Sequence, residues 1–200
     1  MATNKEIVET ALSFVGKLKY VFGGDNIASG SGDCSDFTQY VYSCYGINIG
    51  GTTESQYSQG VSVARDDIQA GDLILFKNTY NSHYRDGVSH VGIAIGNNQF
   101  VHLSSGGCKV SDLSGYYDEH YLDARRVNGV NYTTFNTEDL DVDNVTYTPT
   151  QTGIGNKFGL AWWGDVVRVV VIVVLIIATV VLIATSVGVE ILEKGVNTNG

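Results

Sequence analysis

The chain has 200 residues, a formal net charge of -9 and a hydrophobic fraction of 44%. This length suits one ordinary domain with an appendage and excludes a multidomain assembly. With 12 Lys and Arg against 21 Asp and Glu, the charge excludes a nucleic-acid binder, because neutralising phosphates needs clustered cations. The odd number of cysteines, 3 in all, and the lack of a C-x-x-C spacing exclude a disulfide framework and a zinc ribbon.

The first part of the chain has the pattern of helices. Residues 4–17 carry apolar side chains at helical spacing, and charged residues early in this stretch exclude a secretory signal sequence. Residues 26–33 are rich in Gly, Ser and Asn and predict a loop. A second helical pattern over 34–45 then places Asp33 or Cys34 at the start of a helix.

Short strands dominate the next part. The segments 72–76, 88–95, 99–103 and 121–127 are rich in β-branched and aromatic residues and are separated by turn residues. Helices followed by antiparallel strands predict an α+β domain, which we expect to cover residues 1–130.

The last seventy residues change character twice. Residues 131–160 are acidic and polar, which is typical of a linker, and a polar tail follows at 193–200. Between them, 161–192 predicts a transmembrane helix, because Val169 to Val189 is an uncharged run long enough to span roughly 30 Å of bilayer. Trp162 and Trp163 precede the run, where interfacial aromatics belong. The alternative is a buried helix of a larger core.

The three cysteines differ in their surroundings. Cys34 follows a Gly-Ser loop at a helix start, where unsatisfied N–H groups stabilise a thiolate, so it is the candidate nucleophile. Cys44 shares an apolar helix face with Phe37 and Val41 and is expected to be structural. Cys108 lies in a Gly-Gly-Cys sequence that predicts a turn.

Two of the four histidines suit a base and its partner. His90 opens an apolar strand and His102 lies in the next one, so a hairpin would let His102 orient the His90 imidazole. His83 and His120 lie in polar, Tyr-rich surroundings and are expected to be ordinary polar residues. The histidine spacing does not favour a metal site, and no cofactor is predicted.

Four segments together resemble the NlpC/P60 family of cell-wall cysteine peptidases. They are Asp33-Cys34-Ser35-Asp36-Phe37-Thr38-Gln39-Tyr40-Val41, Gly71-Asp72-Leu73-Ile74-Leu75-Phe76, Ser89-His90-Val91-Gly92-Ile93 and Phe100-Val101-His102. The resemblance covers residues 5–127, and the order and spacing of the segments are more specific than any one of them. It implies a papain-like α+β core in which the nucleophile helix packs on an antiparallel sheet that supplies the histidines.

The same resemblance implies roles for single residues. Cys34 would be the nucleophile, His90 the base and His102 its orienting partner. The substrate-binding residues would be Tyr20, Asp33, Ser35 and Ser89, with Tyr20 near the oxyanion and Asp33 and Ser35 near a free substrate amine. Thr53 and Gln56 match family positions of a structural kind. Two positions depart from the family pattern: Asp36 replaces a usual Gly, and Ala70 replaces a common Pro.

The resemblance also implies a substrate, peptidoglycan stem peptides, cleaved between the γ-carboxyl of D-glutamate and the diamino acid. With the apolar run, this predicts a membrane-associated protein that acts at the cell wall, with peptidoglycan and a lipid bilayer as partners. Without a secretory signal, delivery from outside by a phage virion and tail, or by a conjugation complex, is expected. Two alternatives stay open: a membrane-anchored papain-like acyltransferase, and a non-catalytic wall-binding component of membrane penetration.

Overall fold

A computed structural model describes residues 1–79 and 87–140. Its longer helices lie in the first part of the chain and its longer strands in the second, as the sequence predicts. The helices are α1 (Asn4–Leu12), α2 (Cys34–Ser43), α3 (Thr53–Tyr57) and α4 (Tyr116–Glu119). The strands are β1 (Ala2–Thr3), β2 (Lys19–Tyr20), β3 (Asp25–Asn26), β4 (Ser31–Gly32), β5 (Val61–Val63), β6 (Leu73–Lys77), β7 (Val88–Gly96), β8 (Gln99–Ser104), β9 (Gly107–Asp112), β10 (Tyr121–Arg126) and β11 (Val130–Asn131).

A six-stranded antiparallel sheet is the centre of the fold. Its strand order is β5-β10-β6-β7-β8-β9, so the four predicted strands form its middle. The edge strands β5 and β9 were not predicted. The mixed helix and strand content confirms the α+β class.

The sheet is buried on both faces. Along β6, Leu73 and Leu75 contact one apolar cluster while Ile74 and Phe76 contact a second, as expected for a strand whose side chains alternate between faces. The first cluster includes the apolar faces of α1 and α2. Burial on both sides explains why β6 is a continuous apolar run instead of an alternating one.

Both long helices begin where predicted and end early. Thr3 caps α1 in a reciprocal capping box with Glu6, but the helix ends at Leu12 instead of continuing to residue 17. Gly16 adopts a φ of 74°, and its N–H donates to the carbonyl of Cys108 at 2.9 Å instead of continuing the helix. The second helix ends at Ser43, two residues before the predicted end.

The packed part of the chain continues past residue 130. Strand β11 pairs in parallel with β1, and the buried Asn4 side chain donates to the Thr133 carbonyl at 3.1 Å and accepts from the Thr133 N–H at 3.0 Å. Phe135 and Leu140 pack against the first cluster. Residues 131–140, which composition assigns to a linker, therefore contact the domain.

The predicted transmembrane helix at 161–192 lies outside the described residues, as do the rest of the predicted linker and the polar tail. Within 1–79 and 87–140, no helix combines the length and apolar character that crossing a bilayer requires.

Candidate active site

The candidate nucleophile lies in the first turn of α2. Asp33 is the N-cap, and its carboxylate accepts hydrogen bonds from the N–H groups of Ser35 at 2.9 Å and Asp36 at 3.1 Å. Asp36 accepts from the Asp33 N–H at 3.0 Å, which completes a capping box. Cys34 is therefore held at the positive end of the helix dipole, with 3% of its surface exposed.

Asp33 and Ser35 also make further contacts within the protein. The second Asp33 oxygen accepts from the Gly23 N–H at 3.1 Å, and the Ser35 hydroxyl donates to Asp33 at 2.8 Å. Asp33 thus joins α2 to the loop that follows β2. Both residues line the cavity in front of Cys34, and their role toward a substrate amine stays a prediction.

The cavity that Cys34 lines has a volume of about 530 Å³ and an acidic wall. Its carboxylates are Asp25, Asp33, Asp36 and Glu54. Burial, together with the neighbouring Asp33 charge, raises the pKa of Asp36 to about 6. The residue that departs from the family pattern is thus a weakly acidic group in the cavity wall.

Two side chains predicted to be structural hold α3 in place, namely Thr53, which lines this cavity, and the buried Gln56. The buried Gln56 amide donates to the carbonyls of Ser35 at 2.8 Å and Gly50 at 3.0 Å, and it accepts from the Thr38 hydroxyl at 2.7 Å. Thr53 donates to the Val88 carbonyl at 2.9 Å. Together they join α3 to the first turn of α2 and to the start of β7.

The two predicted histidines are in direct contact. His90 Nε2 and His102 Nδ1 are 2.8 Å apart, and both residues are buried. Burial lowers the pKa of His90 to about 4. Burial and the neighbouring His90 lower the pKa of His102 to about 2. Both rings are therefore neutral at pH 7, as a general base must be before it takes a proton.

His102 has partners that sequence analysis missed. Its Nε2 lies 3.0 Å from the Ser111 hydroxyl on β9 and 3.4 Å from the Tyr117 hydroxyl on α4. If His90 is to accept a proton at Nδ1, its Nε2–H must donate to His102 Nδ1, and His102 must then carry its proton on Nε2. Ser111 is the acceptor that favours this tautomer.

Aromatic side chains enclose the histidine pair. Phe76 lies 5.7 Å from the His90 ring and Phe100 lies 4.7 Å from the His102 ring, measured between centroids. Gly92 leaves the space that these rings occupy, since a Cβ there would approach the Phe100 ring to 2.6 Å. The apolar surroundings are the cause of the low histidine pKa values.

The remaining predicted residues lie near His90. Tyr20 and His90 line a second cavity of about 350 Å³. Ser89 lines the first cavity, and its hydroxyl lies 2.9 Å from the Thr79 N–H and 2.7 Å from the Thr79 hydroxyl. The structure thus gathers Asp33, Cys34, Ser35 and Ser89 at one cavity and Tyr20 and His90 at the other.

The other cysteines are buried thiols. Burial raises the pKa of both Cys44 and Cys108 to about 12. The prediction of a turn at Cys108 is wrong, because this residue lies within β9 and packs in the first cluster. Among residues 1–79 and 87–140, no group of three or more His, Cys, Asp or Glu side chains is arranged to hold a metal ion.

The histidines without a predicted role lie elsewhere. His120 follows α4, and its Nδ1 lies 2.8 Å from the Tyr116 carbonyl. His83 is outside the described residues.

Curated bacterial proteins resemble this chain over part of their length. The bifunctional muramidase/DL-endopeptidase CwlT of Bacillus subtilis is 31% identical over 122 residues, which cover 60% of this chain and 36% of CwlT. The murein DD-endopeptidase MepS/murein LD-carboxypeptidase of Escherichia coli K12 is 40% identical over 98 residues, which cover 48% of this chain and 49% of that protein. The chain therefore spans half or less of the length of these relatives.

Solved structures have the same fold. A lipoprotein-like NLP/P60 family protein from Staphylococcus aureus Mu50 superimposes with a TM-score of 0.54 and 36% identity, over 62% of this chain and 41% of that one. The family model described as NlpC/P60 matches residues 16–126, a range that holds the capped cysteine, the histidine pair and both cavities. By this match the chain belongs to the NlpC/P60 family.

Proposed function

We propose that this chain is a cysteine endopeptidase that hydrolyses stem-peptide amide bonds of peptidoglycan. The observation that carries the proposal is the combination of a buried, neutral His90–His102 pair with a helix-capped cysteine whose cavity is also lined by Ser89, the neighbour of His90. The family membership and the endopeptidase names of both relatives support it.

The mechanism begins with a proton transfer. His90 Nε2 faces His102, so Nδ1 is the ring nitrogen that takes the Cys34 proton. The resulting imidazolium donates through Nε2–H to His102, which in turn donates to Ser111. This chain of donors fixes the ring orientation and spreads the new positive charge into a buried network.

The thiolate then attacks the amide carbonyl. We assign the oxyanion to the Cys34 N–H at the start of α2 and to the hydroxyl of Tyr20, the residue that the family resemblance puts near the oxyanion. His90 returns its proton to the leaving amine, which departs and leaves a thioester on Cys34. Water, deprotonated by His90, hydrolyses the thioester and regenerates the thiol.

For the bond cleaved, we propose the amide between the γ-carboxyl of D-glutamate and the diamino acid. The acidic cavity beside Cys34 supports this assignment, since it suits a positively charged amine on the part of the stem peptide that forms the acyl-enzyme. The name DL-endopeptidase of the Bacillus relative agrees with it, whereas the name of the Escherichia relative specifies a DD bond.

The place of action is a further part of the proposal. The uncharged run Val169 to Val189 is long enough to enter a bilayer, so we propose that the protein is membrane-associated and acts on the adjacent wall. A phage tail or a conjugation complex is the proposed carrier. The test is flotation of the full chain with liposomes, and a chain that stays monodisperse in buffer and does not float contradicts the membrane assignment.

Digestion of purified cell walls tests the activity. The full chain in mild detergent should release soluble muropeptides, and mass spectrometry of the new termini identifies the bond. Cys34→Ala should abolish release, while Cys44→Ala serves as a matched control that removes a thiol outside the site. Wall binding without release by the wild-type chain would instead favour the non-catalytic alternative, and release by Cys34→Ala would refute the nucleophile assignment.

A further inference from the structure

The described side chains that line the two cavities at the candidate catalytic residues carry opposite charges. The cavity on the Cys34 side is lined by four carboxylates and by no Lys, Arg or His side chain from the described part of the chain. The cavity on the His90 side has Lys109 in its lining and no carboxylate from residues 1–79 and 87–140. A substrate lying across Cys34 and His90 therefore meets negative charge at one end and positive charge at the other.

Lys109 is fixed beside the histidine pair by strand register. It lies directly opposite His102 in the β8–β9 pair, so the two side chains project from the same face of the sheet. Burial is the main cause of the low pKa of His90, and the Asp33 charge opposes it. The Lys109 charge lowers this pKa further. Lys109 and His90 also line the same cavity.

Ser104 supplies an unsatisfied hydrogen-bond donor in the same cavity. It lies two residues after His102 on β8 and therefore on the same face of the strand. Its hydroxyl oxygen is buried and has no hydrogen-bond partner among residues 1–79 and 87–140. A buried hydroxyl without a partner costs free energy, which a bound acceptor oxygen would recover.

We propose that the Lys109 cavity binds a carboxylate on the residue that leaves during cleavage. Lys109 supplies the charge, and the Ser104 hydroxyl donates a hydrogen bond to one carboxylate oxygen. The inference rests on the proposed endopeptidase activity, in which His90 must give its proton to the leaving amine and so lies beside the leaving residue. The diamino acid after the scissile bond then carries a free side-chain carboxylate, as diaminopimelic acid does and lysine does not.

A matched pair of peptides tests this specificity. The two substrates are L-Ala-γ-D-Glu-diaminopimelyl-D-Ala with the side-chain carboxyl of diaminopimelic acid free or converted to its carboxamide. The full chain should cleave the free acid with a kcat/KM about tenfold higher, as expected for a charge-assisted hydrogen bond. Lys109→Met should bring the ratio of the two kcat/KM values close to one, and Lys109→Arg should keep most of it.

Lys5→Met is the control, since Lys5 pairs with Glu9 at 3.7 Å on α1 and lines neither cavity. A ratio near one in the wild-type chain, or a ratio that Lys109→Met does not change, would overturn the proposal. Titration of both peptides into Cys34→Ala, with and without Lys109→Met, reads the same preference as binding. This titration separates the two hypotheses. If Cys34→Ala binds the free acid more tightly but the wild-type chain cleaves neither peptide, the cavity assignment is supported and the endopeptidase activity is refuted.

Discussion

The helix side and the strand side of the candidate site are built in opposite ways. At the start of α2, the contacts of Asp33 with Ser35 and Asp36 join residues two or three positions apart, and the carboxylates line an open cavity. On the sheet, His90 and His102 are twelve positions apart and buried among aromatic rings. The carboxylates on the helix side are therefore accessible to solvent and substrate. The protons of the two histidines are instead fixed by buried hydrogen bonds.

Loss of either histidine should have the largest effect. We expect His90→Gln to reduce wall hydrolysis roughly 10⁴-fold, because no base remains, and His102→Gln to reduce it ~10²-fold, because the base loses only its orienting partner. The measurement is the rate of muropeptide release by the full chain. His120→Gln is the control and should retain activity, since this residue lines neither cavity. Near-wild-type rates in both variants would show that a different group is the base.

Alkylation should separate Cys34, at the helix start, from Cys44 and Cys108. Cys44 and Cys108 have pKa values raised to about 12 by burial, so they stay as unreactive thiols at pH 6.5. We expect iodoacetamide to label Cys34 at least ~10²-fold faster than either, because the N–H groups at a helix start favour the thiolate. Peptide mass spectrometry follows each site, and equal rates at the three would remove the evidence for activation.

Acidification should destabilise the folded chain through the histidine side and stabilise it through Asp36 on the helix side. The folded-state pKa of His90 is lowered to about 4, so the unfolded chain binds more protons between pH 6.5 and 4. His90 alone should lower the unfolding free energy there by up to ~3 kcal/mol, and His102, whose pKa is lowered to about 2, acts in the same direction. Asp36 has its pKa raised to about 6, so the folded chain binds more protons between pH 6 and 4 and gains stability on acidification.

Urea unfolding of the full chain at several pH values measures this balance. His90→Gln should flatten the loss of stability on acidification, and Asp36→Asn should make it steeper. The opposite order of the two slopes would contradict the assigned pKa directions.

Removal of the Ser111 hydroxyl should have the smallest effect. Ser111→Ala leaves the His102 Nε2–H without its 3.0 Å acceptor, which weakens the tautomer that His90 needs, and we expect kcat to fall ~3- to 10-fold. The conservative Ser111→Thr should restore the rate. If Ser111 had only a structural role, Ser111→Ala would change stability but would not move the acidic limb of the pH–rate profile. The measurement is therefore the position of that limb in the wild type and the variant.

The parts of the site that sequence could predict are those with local signals. A helix start marks Cys34, and apolar strands mark His90 and His102. Ser111 and Lys109 were missed because β9 was not predicted: it begins at the second of two consecutive glycines and has only two apolar residues, Cys108 and Val110. Its existence depends on pairing with β8, which is a tertiary contact and not a local preference.

Composition misleads at two other places for the same reason. Residues 131–140 are polar, yet Asn4 and β1 hold them on the domain through contacts more than a hundred residues apart. The extension of α1 to residue 17 fits helical periodicity, but the Gly16 N–H has a competing acceptor on β9. In each case a contact with a residue far away in the sequence outweighs the local pattern.

The parallel pairing of β1 with β11 places the first residues of the domain beside the segment through which the chain leaves the six-stranded sheet. A mechanical pull transmitted along the chain past Leu140 would first load the packing of Leu140 and Phe135 and the Asn97–Thr137 hydrogen bond at the β7–β8 turn. It would next load the Asn4–Thr133 hydrogen bonds and this two-residue pairing. These few contacts would open before the strands of the sheet separate, and the released segment would lengthen the tether while Cys34 and the histidine pair kept their geometry. The candidate site could in this way stay intact under load.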